Sequence, residues 1–159
     1  AGIRATRMNA LFLMQLFGKE ANDKLPMNMQ DVKHNLTKNN VVICGALRLS
    51  PNSTSDTTAA KLAHELNTEF INMTNVRGLY TQDPKINPRA ALIPKESWSS
   101  FQARTQKIKF KAGQHFVLDQ QAARIIKKYH IKTYIIGKNI SNLTNLIRQK
   151  RFIGTVIWG

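Results

Sequence analysis

The sequence predicts an α/β fold with a largely parallel sheet. Short β-branched runs alternate with helical patterns of apolar residues along the chain, which is the order expected of strands joined by crossover helices. A length of 159 residues, 42% of them hydrophobic, is also enough to bury one substantial core. Because the sequence contains no internal repeat and no linker-like stretch, we expect a single domain over residues 1–159.

In the first half of the chain, apolar spacing and turn residues predict three helices and two strands. Residues 5–18 carry a broad apolar stripe at helical spacing and end on a glycine, a common helix stop. Residues 29–36 suit a short helix within a polar loop. The β-branched run at 41–45 predicts a buried strand. Asp56 opens the third helix, to about residue 67, and a strand follows at 69–73.

In the second half, a long loop ends at Ile93-Pro94 and the alternation of helices and strands resumes. The helices here are amphipathic and carry many basic residues, whereas the strands are short apolar runs. Helices are predicted at 97–105, 118–129 and 140–149, and strands at 131–136 and 153–158.

Charge is the strongest feature of the composition. The chain has 24 basic and 9 acidic side chains, a net charge of +15. Residues 1–80 hold 9 basic and 6 acidic groups, whereas residues 81–159 hold 15 and 3, a net of +12. A cationic surface of this kind indicates an RNA or DNA partner, and its alternative is an ordinary solvated basic face. No apolar run approaches the roughly 20 residues needed to span a bilayer. An anionic membrane is also a poorer partner than nucleic acid, because the basic segments have the pattern of ordinary core-packing helices.

Cysteine and histidine give no sign of metal or thiol chemistry. Cys44 is the only cysteine and lies in an apolar run, so we interpret it as a core thiol. The four histidines are scattered without ligand spacing. The sequence therefore predicts neither a metal site nor a catalytic thiol.

Two polar loops follow predicted strands, at the ends where open parallel sheets bind ligands. The loop at 45–56 is rich in hydroxyl groups and leads into a helix, which suits either a phosphate or an ordinary N-cap. The loop at 74–84 offers the Thr74 hydroxyl, the Tyr80 ring and the Asp83 carboxylate. These three groups are suited to holding a purine and its ribose.

Six segments together resemble a known family. They are GIRATRMNA (2–10), VVICG with STSDTTAAKLA (41–45 and 53–63), TNVRGLYTQDPKINPRAALI (74–93), AGQHFVLDQQAARII (112–126) and IGTVI (153–157). In this order they resemble the carboxyl-terminal two thirds of uridylate (UMP) kinases of the archaeal type, within the amino acid kinase family. The block at 74–93 is the most specific part of the match.

The resemblance implies a three-layer αβα sandwich and two nucleotide sites. The acceptor UMP would bind in the loop after the first strand, and ATP, with Mg²⁺ in an active enzyme, in the loop at 74–84. The implied UMP-binding residues are Gly45, Ala46, Ser53 and Thr54, and the implied ATP-binding residues are Thr74, Tyr80 and Asp83.

The sequence departs from this family at three points. Arg77 stands where the family normally has Asp, and the acceptor loop is two residues longer than expected. The amino-terminal third, which in the family carries Gly-rich phosphate loops and a nearby lysine, has no counterpart in this chain. Phosphoryl transfer depends on such groups to position and neutralise the moving phosphoryl, so we expect no catalysis from this chain alone. The strand lost with that third would leave apolar faces for an upstream segment or another chain to cover.

Two functions follow as hypotheses. The first is a catalytically impaired, basic, RNA-associated component of a large assembly such as a mitochondrial ribosome, which would place it in an organelle. The second is an active UMP kinase, converting ATP and UMP to ADP and UDP, whose amino-terminal third is encoded upstream or supplied by another chain; its location would be organellar or cytoplasmic. Because the family is typically hexameric, a homo-oligomer is a further expectation.

Several individual residues have two interpretations. Arg4 and Arg7 would face an acceptor phosphate, a subunit interface or, as favoured here, only solvent. Asp56 is either close to the acceptor or a helix cap. Asp119 is interpreted as a structural helix-start residue, and Trp98 as a core or interface residue rather than a base platform.

Overall fold

The computed structural model describes residues 2–47, 54–107 and 118–159. Its residues cluster into two compact units, Ala1–Thr58 and Ala59–Gly159. The single domain expected over residues 1–159 stays a prediction, and each unit is described by itself below.

The first unit contains helix α1, Gly2–Phe17, and helix α2, Met29–Leu36. A short 3₁₀ turn, Gly18–Glu20, follows α1. Gly18 has φ +53°, a left-handed conformation that favours glycine and ends the helix. Helix α2 is capped by Asn28, whose side chain accepts a hydrogen bond from the Asp31 N–H at 2.9 Å. Both helices confirm the sequence prediction to within a few residues.

The strand predicted at 41–45 is wrong for the structure described. Only Val41 forms a bridge, parallel to Ala21, and residues 42–47 are irregular. The backbone of Ile43 pairs instead with the buried side chain of Asn22, whose amide accepts from the Ile43 N–H at 2.6 Å and donates to its carbonyl at 3.1 Å. A β-branched run forms a regular strand only beside another strand, and here one side-chain amide supplies the pairing.

The second unit continues from helix α3, Ser55–Glu65, which begins at the end of the first unit. Its remaining elements alternate helices with strands, as the sequence predicts. They are β1 Phe70–Thr74, β2 Leu79–Tyr80, β3 Leu92–Ile93, β4 Lys95–Glu96, α4 Trp98–Lys107, α5 Gln120–Lys128, β5 Thr133–Gly137, α6 Ile140–Ile147 and β6 Gly154–Ile157. The short strands β2 and β3 lie within the stretch that the sequence predicts as a long loop, and β4 lies between that loop and the predicted helix at 97–105. Two-residue strands are too short to produce a periodic pattern.

The main sheet has the strand order β1-β5-β6-β4. Strands β1 and β5 are parallel, with Phe70 beside Thr133 and Thr74 beside Gly137. Strands β4 and β6 are also parallel, whereas β5 and β6 are antiparallel. Two of the three pairings are therefore parallel, which confirms the largely parallel α/β sheet. Strands β2 and β3 form a separate antiparallel hairpin.

Helices cover both faces of this sheet. Ile135 of β5 packs in a core with buried residues of α3, α4 and α5, among them Ala60, Phe101 and Ile126. Its neighbour Ile136 packs on the other side with Leu146 of α6. Because successive strand residues point to opposite faces, these two cores lie on opposite sides of β5. The three predicted αβα layers are present.

Helix α5 also starts as expected. The Asp119 carboxylate accepts a hydrogen bond from the Ala122 N–H at 2.8 Å and caps the helix. Trp98 donates its indole N–H to the Ile131 carbonyl at 3.0 Å and packs against the core. Both residues therefore have the structural roles that the sequence favoured.

Candidate functional site

The loop at 74–84 starts where β1 ends, beside the end of the parallel strand β5. Its backbone lies directly against that end, since a Cβ placed on Gly137 would be 3.3 Å from the Val76 carbonyl oxygen and 3.4 Å from the Arg77 Cα. The loop therefore crosses the carboxyl ends of two neighbouring parallel strands. In open α/β sheets this is the edge at which ligands bind.

A single hydroxyl fastens this loop to the sheet. Thr155, fully buried in β6, accepts a hydrogen bond from the Leu79 N–H at 2.7 Å and donates one to the Ile93 carbonyl at 2.6 Å. It thereby ties both strands of the β2–β3 hairpin to β6. Gly78 makes the close approach possible, because a Cβ there would lie 2.8 Å from the Thr155 hydroxyl.

The three predicted ATP-binding residues all lie on this fastened segment. Thr74 ends β1 and donates its hydroxyl hydrogen to the Asn75 side chain at 3.3 Å. Tyr80 is half-buried in β2. Asp83 uses Oδ1 to accept from the Lys85 N–H at 2.9 Å, while its backbone carbonyl accepts from the N–H of Asn87, also at 2.9 Å. Part of Asp83 is thus committed to the turn that follows the hairpin.

Arg77 differs from the residues around it in the loop because it carries a positive charge. Its side chain is exposed and forms no ion pair with any residue in the described ranges. Lys138, also exposed, follows Gly137 at the end of the adjacent strand β5. Positive charges therefore follow both parallel strands at this edge, where an anion gains from them.

The first residues of the acceptor loop, 45–47, are seated on helix α1 in the first unit. Gly45 lies so close to the helix that a Cβ would be 2.8 Å from the Arg7 N and Cα and from the Thr6 carbonyl oxygen. Any larger residue would have to push backbone away from backbone. This contact explains the glycine at position 45 without reference to a ligand.

Side chains of α1 also hold the start of the acceptor loop through hydrogen bonds. Arg7 donates from Nε to the Ala46 carbonyl at 2.9 Å and from Nη2 to the Leu47 carbonyl at 2.8 Å. The Thr6 hydroxyl accepts from the Ala46 N–H at 3.2 Å. The expectation of a solvated helix face suits the exposed Arg4 but is wrong for Arg7, which is half-buried and bound to the loop.

The other two predicted UMP-binding residues lie at the far end of the acceptor loop. Ser53 lies outside the described residues. Thr54 accepts from the Thr57 N–H at 3.1 Å through its hydroxyl, and its carbonyl accepts from the N–H of Thr58. This is the geometry of an N-cap for α3, which was the ordinary interpretation of this loop.

Cys44 adjoins Gly45 and is partly buried. Desolvation raises the pKa of its thiol, because burial penalises the charged thiolate. A thiol kept protonated is a poor nucleophile, as expected of a structural cysteine.

The part of the chain that the structure describes has neither a metal-ligand cluster nor a membrane-spanning helix. Among those residues, no group of three or more His, Cys, Asp or Glu side chains is placed to hold a metal ion. In the same ranges, no helix combines the length and apolar character that a membrane span requires.

Sequence reasoning missed two residues that shape these loops, Asn22 and Thr155. Thr155 lies within IGTVI, a segment that resembles the family, but an apolar strand with one threonine gives no sign of what its hydroxyl contacts. Asn22 lies in a polar stretch where asparagine is common. Both act through partners far away in sequence, at positions 43, 79 and 93.

Comparison with known proteins agrees with this geometry. The model of the amino acid kinase family matches residues 1–137. The uridylate kinase of Archaeoglobus fulgidus is 34% identical over 157 residues, which are 98% of this chain and 70% of that protein. The uridylate kinase of Methanothrix thermoacetophila is 34% identical over 148 residues, 92% of this chain and 66% of that protein.

A solved structure extends the likeness to the fold. The crystal structure of the Archaeoglobus fulgidus uridylate kinase matches with a TM-score of 0.85 at 32% identity, covering 98% of this chain and 69% of that one. The chain thus spans about two thirds of the length of these relatives. It belongs to the amino acid kinase family and, over the residues that it contains, resembles the archaeal uridylate kinases of that family.

Proposed function

We propose that this chain holds the nucleotides of a uridylate kinase: an adenine nucleotide on the loop at 74–84 and UMP on the loop at 45–54. The observation that carries the proposal is the fastening of the first loop by Thr155 across the carboxyl ends of β1 and β5. A preordered loop binds at lower entropic cost than a flexible one. The structure therefore offers a ready surface at the edge where such sheets bind ligands.

At the adenine end, three side chains have capacity left for a ligand. The Tyr80 hydroxyl has no hydrogen-bond partner within the described ranges, and its ring can pack against a base. Asp83 uses Oδ1 for the turn, which leaves Oδ2 to accept from a ribose hydroxyl. The Thr74 hydroxyl is exposed at the strand end and can re-pair with a ligand. These contacts supply orientation rather than phosphoryl chemistry.

At the acceptor end, the support comes from Arg7. By binding the carbonyls of Ala46 and Leu47, its guanidinium brings a positive charge beneath the loop and turns both carbonyls toward itself. The loop then leads to Thr54 and the first turn of α3, whose N–H groups favour an anion. A nucleoside monophosphate suits this combination of a cation with a helix start.

Turnover is a separate question from binding. Phosphoryl transfer requires groups that position and neutralise the moving phosphoryl, and the Gly-rich phosphate loops that supply them in the family have no counterpart among residues 1–159. Arg77 also replaces a carboxylate that the family normally has in the loop at 74–84. Mg²⁺ binds nucleotides largely through phosphate oxygens with few protein ligands, so Asp83 need not serve as one. We propose that this chain alone is catalytically impaired and that activity requires the complementary part of a uridylate kinase.

Calorimetric titration with UMP and with MgATP tests the binding proposal. Asp83→Asn keeps an oxygen to cap the turn but removes the charge, so we expect ATP affinity to fall about tenfold with UMP affinity unchanged. Asp23→Asn, the same change at an exposed site of the first unit, is the control and should alter neither. Absence of binding by both nucleotides would refute the proposal, and release of ADP from ATP and UMP by the chain alone would refute the impairment.

We also propose that the basic second half contacts RNA, as part of a ribonucleoprotein assembly. The supporting observation is its net charge of +12, together with the placement of Arg124 and Lys128 on the exposed side of α5, away from its buried Ala122 and Ile126. Association through phosphates weakens steeply with salt. Fluorescence anisotropy with single-stranded RNA at two salt concentrations should show this loss, and salt-independent binding or none would refute it. Sedimentation with ribosomal particles tests whether that RNA is ribosomal.

A further inference from the structure

The second unit has a cleft of about 350 Å³ at the amino ends of β1 and β5, the edge of the sheet opposite the nucleotide loop. Two chain segments line it, each running from the end of a helix into the following strand. The lining includes Ala63, His64, Glu69, Tyr129, Ile131 and Lys132. Neither the candidate nucleotide site nor the acceptor loop includes any of them.

Two matching turns create the cleft. Helices α3 and α5 both end in a left-handed residue that is not glycine, Asn67 with φ +49° and His130 with φ +51°. In each turn the next N–H closes back on the helix: Thr68 donates to Ala63 and Ile131 donates to Ile126. Because β1 and β5 are parallel neighbours, these turns stand side by side and leave open space between them.

An aromatic pair forms one wall. The rings of His64 and Tyr129 stack with centroids 3.5 Å apart and planes 14° from parallel. Both side chains are exposed, so a third flat ring can extend the stack. Stacking of bases on His and Tyr is a common means of binding unpaired RNA.

Lysines supply charge around this wall. Lys128 places Nζ 4.9 Å from the centre of the Tyr129 ring. Lys132 forms an ion pair with Glu69 at 2.9 Å, and its hydrogen bonds to Tyr134 and Glu69 raise its pKa, so it stays charged. Lys61, one helical turn before His64, is also exposed. Among the lining residues Lys132 and Glu69 offset one another, and outside the lining the two lysines Lys61 and Lys128 exceed the one carboxylate of Glu65, which follows His64.

We propose that this cleft binds one nucleotide of a single-stranded RNA, with the base stacked on the His64–Tyr129 pair and the phosphates near Lys128 and Lys132. Its volume is at the lower end of the range for small-ligand pockets, which suits one nucleotide rather than a duplex. An apolar peptide anchor suits it less, because Ala63 and Ile131 are the aliphatic side chains among its lining residues. The inference rests on the RNA association proposed above and gives it a location.

Anisotropy titration of a fluorescein-labelled 12-nucleotide oligouridylate tests the proposal. His64→Ala removes one ring of the stack, and we expect about tenfold weaker binding, since a stacked base contributes about 1–3 kcal/mol. Lys128→Gln should weaken binding and lower the slope of log affinity against log salt by about 0.7, the value for one phosphate contact on a single strand. Lys150→Gln removes the same charge outside the cleft and should change affinity less than twofold.

The outcomes separate the two proposals. If the unchanged protein does not bind the oligonucleotide, the RNA association fails and this inference with it. If it binds but His64→Ala binds equally well, or Lys150→Gln weakens binding as much as Lys128→Gln, the association stands and the cleft is refuted as its site. A photo-crosslink from 5-iodouridine RNA to Tyr129 would support the cleft, whereas crosslinks only to the loop at 74–84 would overturn it.

Discussion

Replacement of Gly45 by alanine tests whether the acceptor loop is held by its contact with α1. The added methyl would lie 2.8 Å from three backbone atoms of that helix, the N and Cα of Arg7 and the carbonyl oxygen of Thr6. None of these is the movable end of a side chain. The loop must therefore lift from the helix, which lengthens the hydrogen bonds from Arg7 to Ala46 and Leu47.

Two costs add in this variant. Overpacking typically destabilises by about 1–3 kcal/mol, and hydrogen bonds from charged groups contribute about 1.5–3 kcal/mol each. Because Arg7 is only half-buried and its bonds would weaken rather than vanish, we expect a total loss of about 3 kcal/mol. For a chain of this size that lowers the melting temperature by roughly 6–12 °C. UMP affinity should fall at least tenfold, because the loop is displaced.

Thermal unfolding followed by circular dichroism, with UMP titration by calorimetry, measures both effects. Gly2→Ala is the matched control: it adds the same methyl at the start of the same helix, where nothing lies within 4 Å. That change should be neutral or slightly stabilising. If Gly45→Ala melts and binds UMP like Gly2→Ala, the close seating of the loop on α1 is refuted.

Three further predictions concern Arg7, Thr155 and Cys44. Arg7→Ala should weaken UMP binding about tenfold and lower stability by about 1–3 kcal/mol. Arg4→Ala, on the exposed side of the same helix, should do neither. Equal effects of the two variants would show that only net charge matters. Thr155→Val should lower the free energy of unfolding by about 2–4 kcal/mol, because it leaves one buried donor and one buried acceptor unpaired. It should also weaken ATP binding, and Thr155→Ser should restore both stability and binding. A fully stable valine variant would contradict the fastening role. Cys44 should alkylate with iodoacetamide more slowly at pH 8 than in the denatured chain, because its raised pKa lowers the thiolate fraction. Since the folded state holds the Cys44 thiol proton more tightly, stability should fall as pH rises through and above the ordinary pKa range of cysteine. Alkylation at equal rates in the folded and denatured chains would contradict the burial of Cys44.

Much of the fold follows from local patterns. Apolar residues at helical spacing predicted α1, α3 and α5, and short apolar runs predicted β1 and β5, each to within a few residues. Strand β5 forms a continuous apolar run because it is buried on both faces. Gly18 and Asp119 marked a helix end and a helix start through backbone chemistry that depends only on neighbouring residues. These features could be read without knowing what the elements pack against.

The failures occurred where partners are distant in sequence. The strand expected at 41–45 has a suitable composition, but its backbone pairs with the Asn22 side chain. The strands β2 and β3 are too short for a period and exist because Thr155 anchors them. No local window contains both partners of such contacts.

The sequence by itself determined the family and the α/β class and located the two loops that we propose bind nucleotides, because short motifs and hydrophobic periods are local properties. Only the tertiary structure decided how those loops are held. Arg7 binds the loop that starts at Gly45, and Thr155 binds the loop that contains Gly78. It also brought His64 beside Tyr129, 65 positions away in the chain, at the opposite edge of the sheet. Packing sets such contacts because burial and hydrogen bonding depend on three-dimensional neighbours, which no linear pattern records.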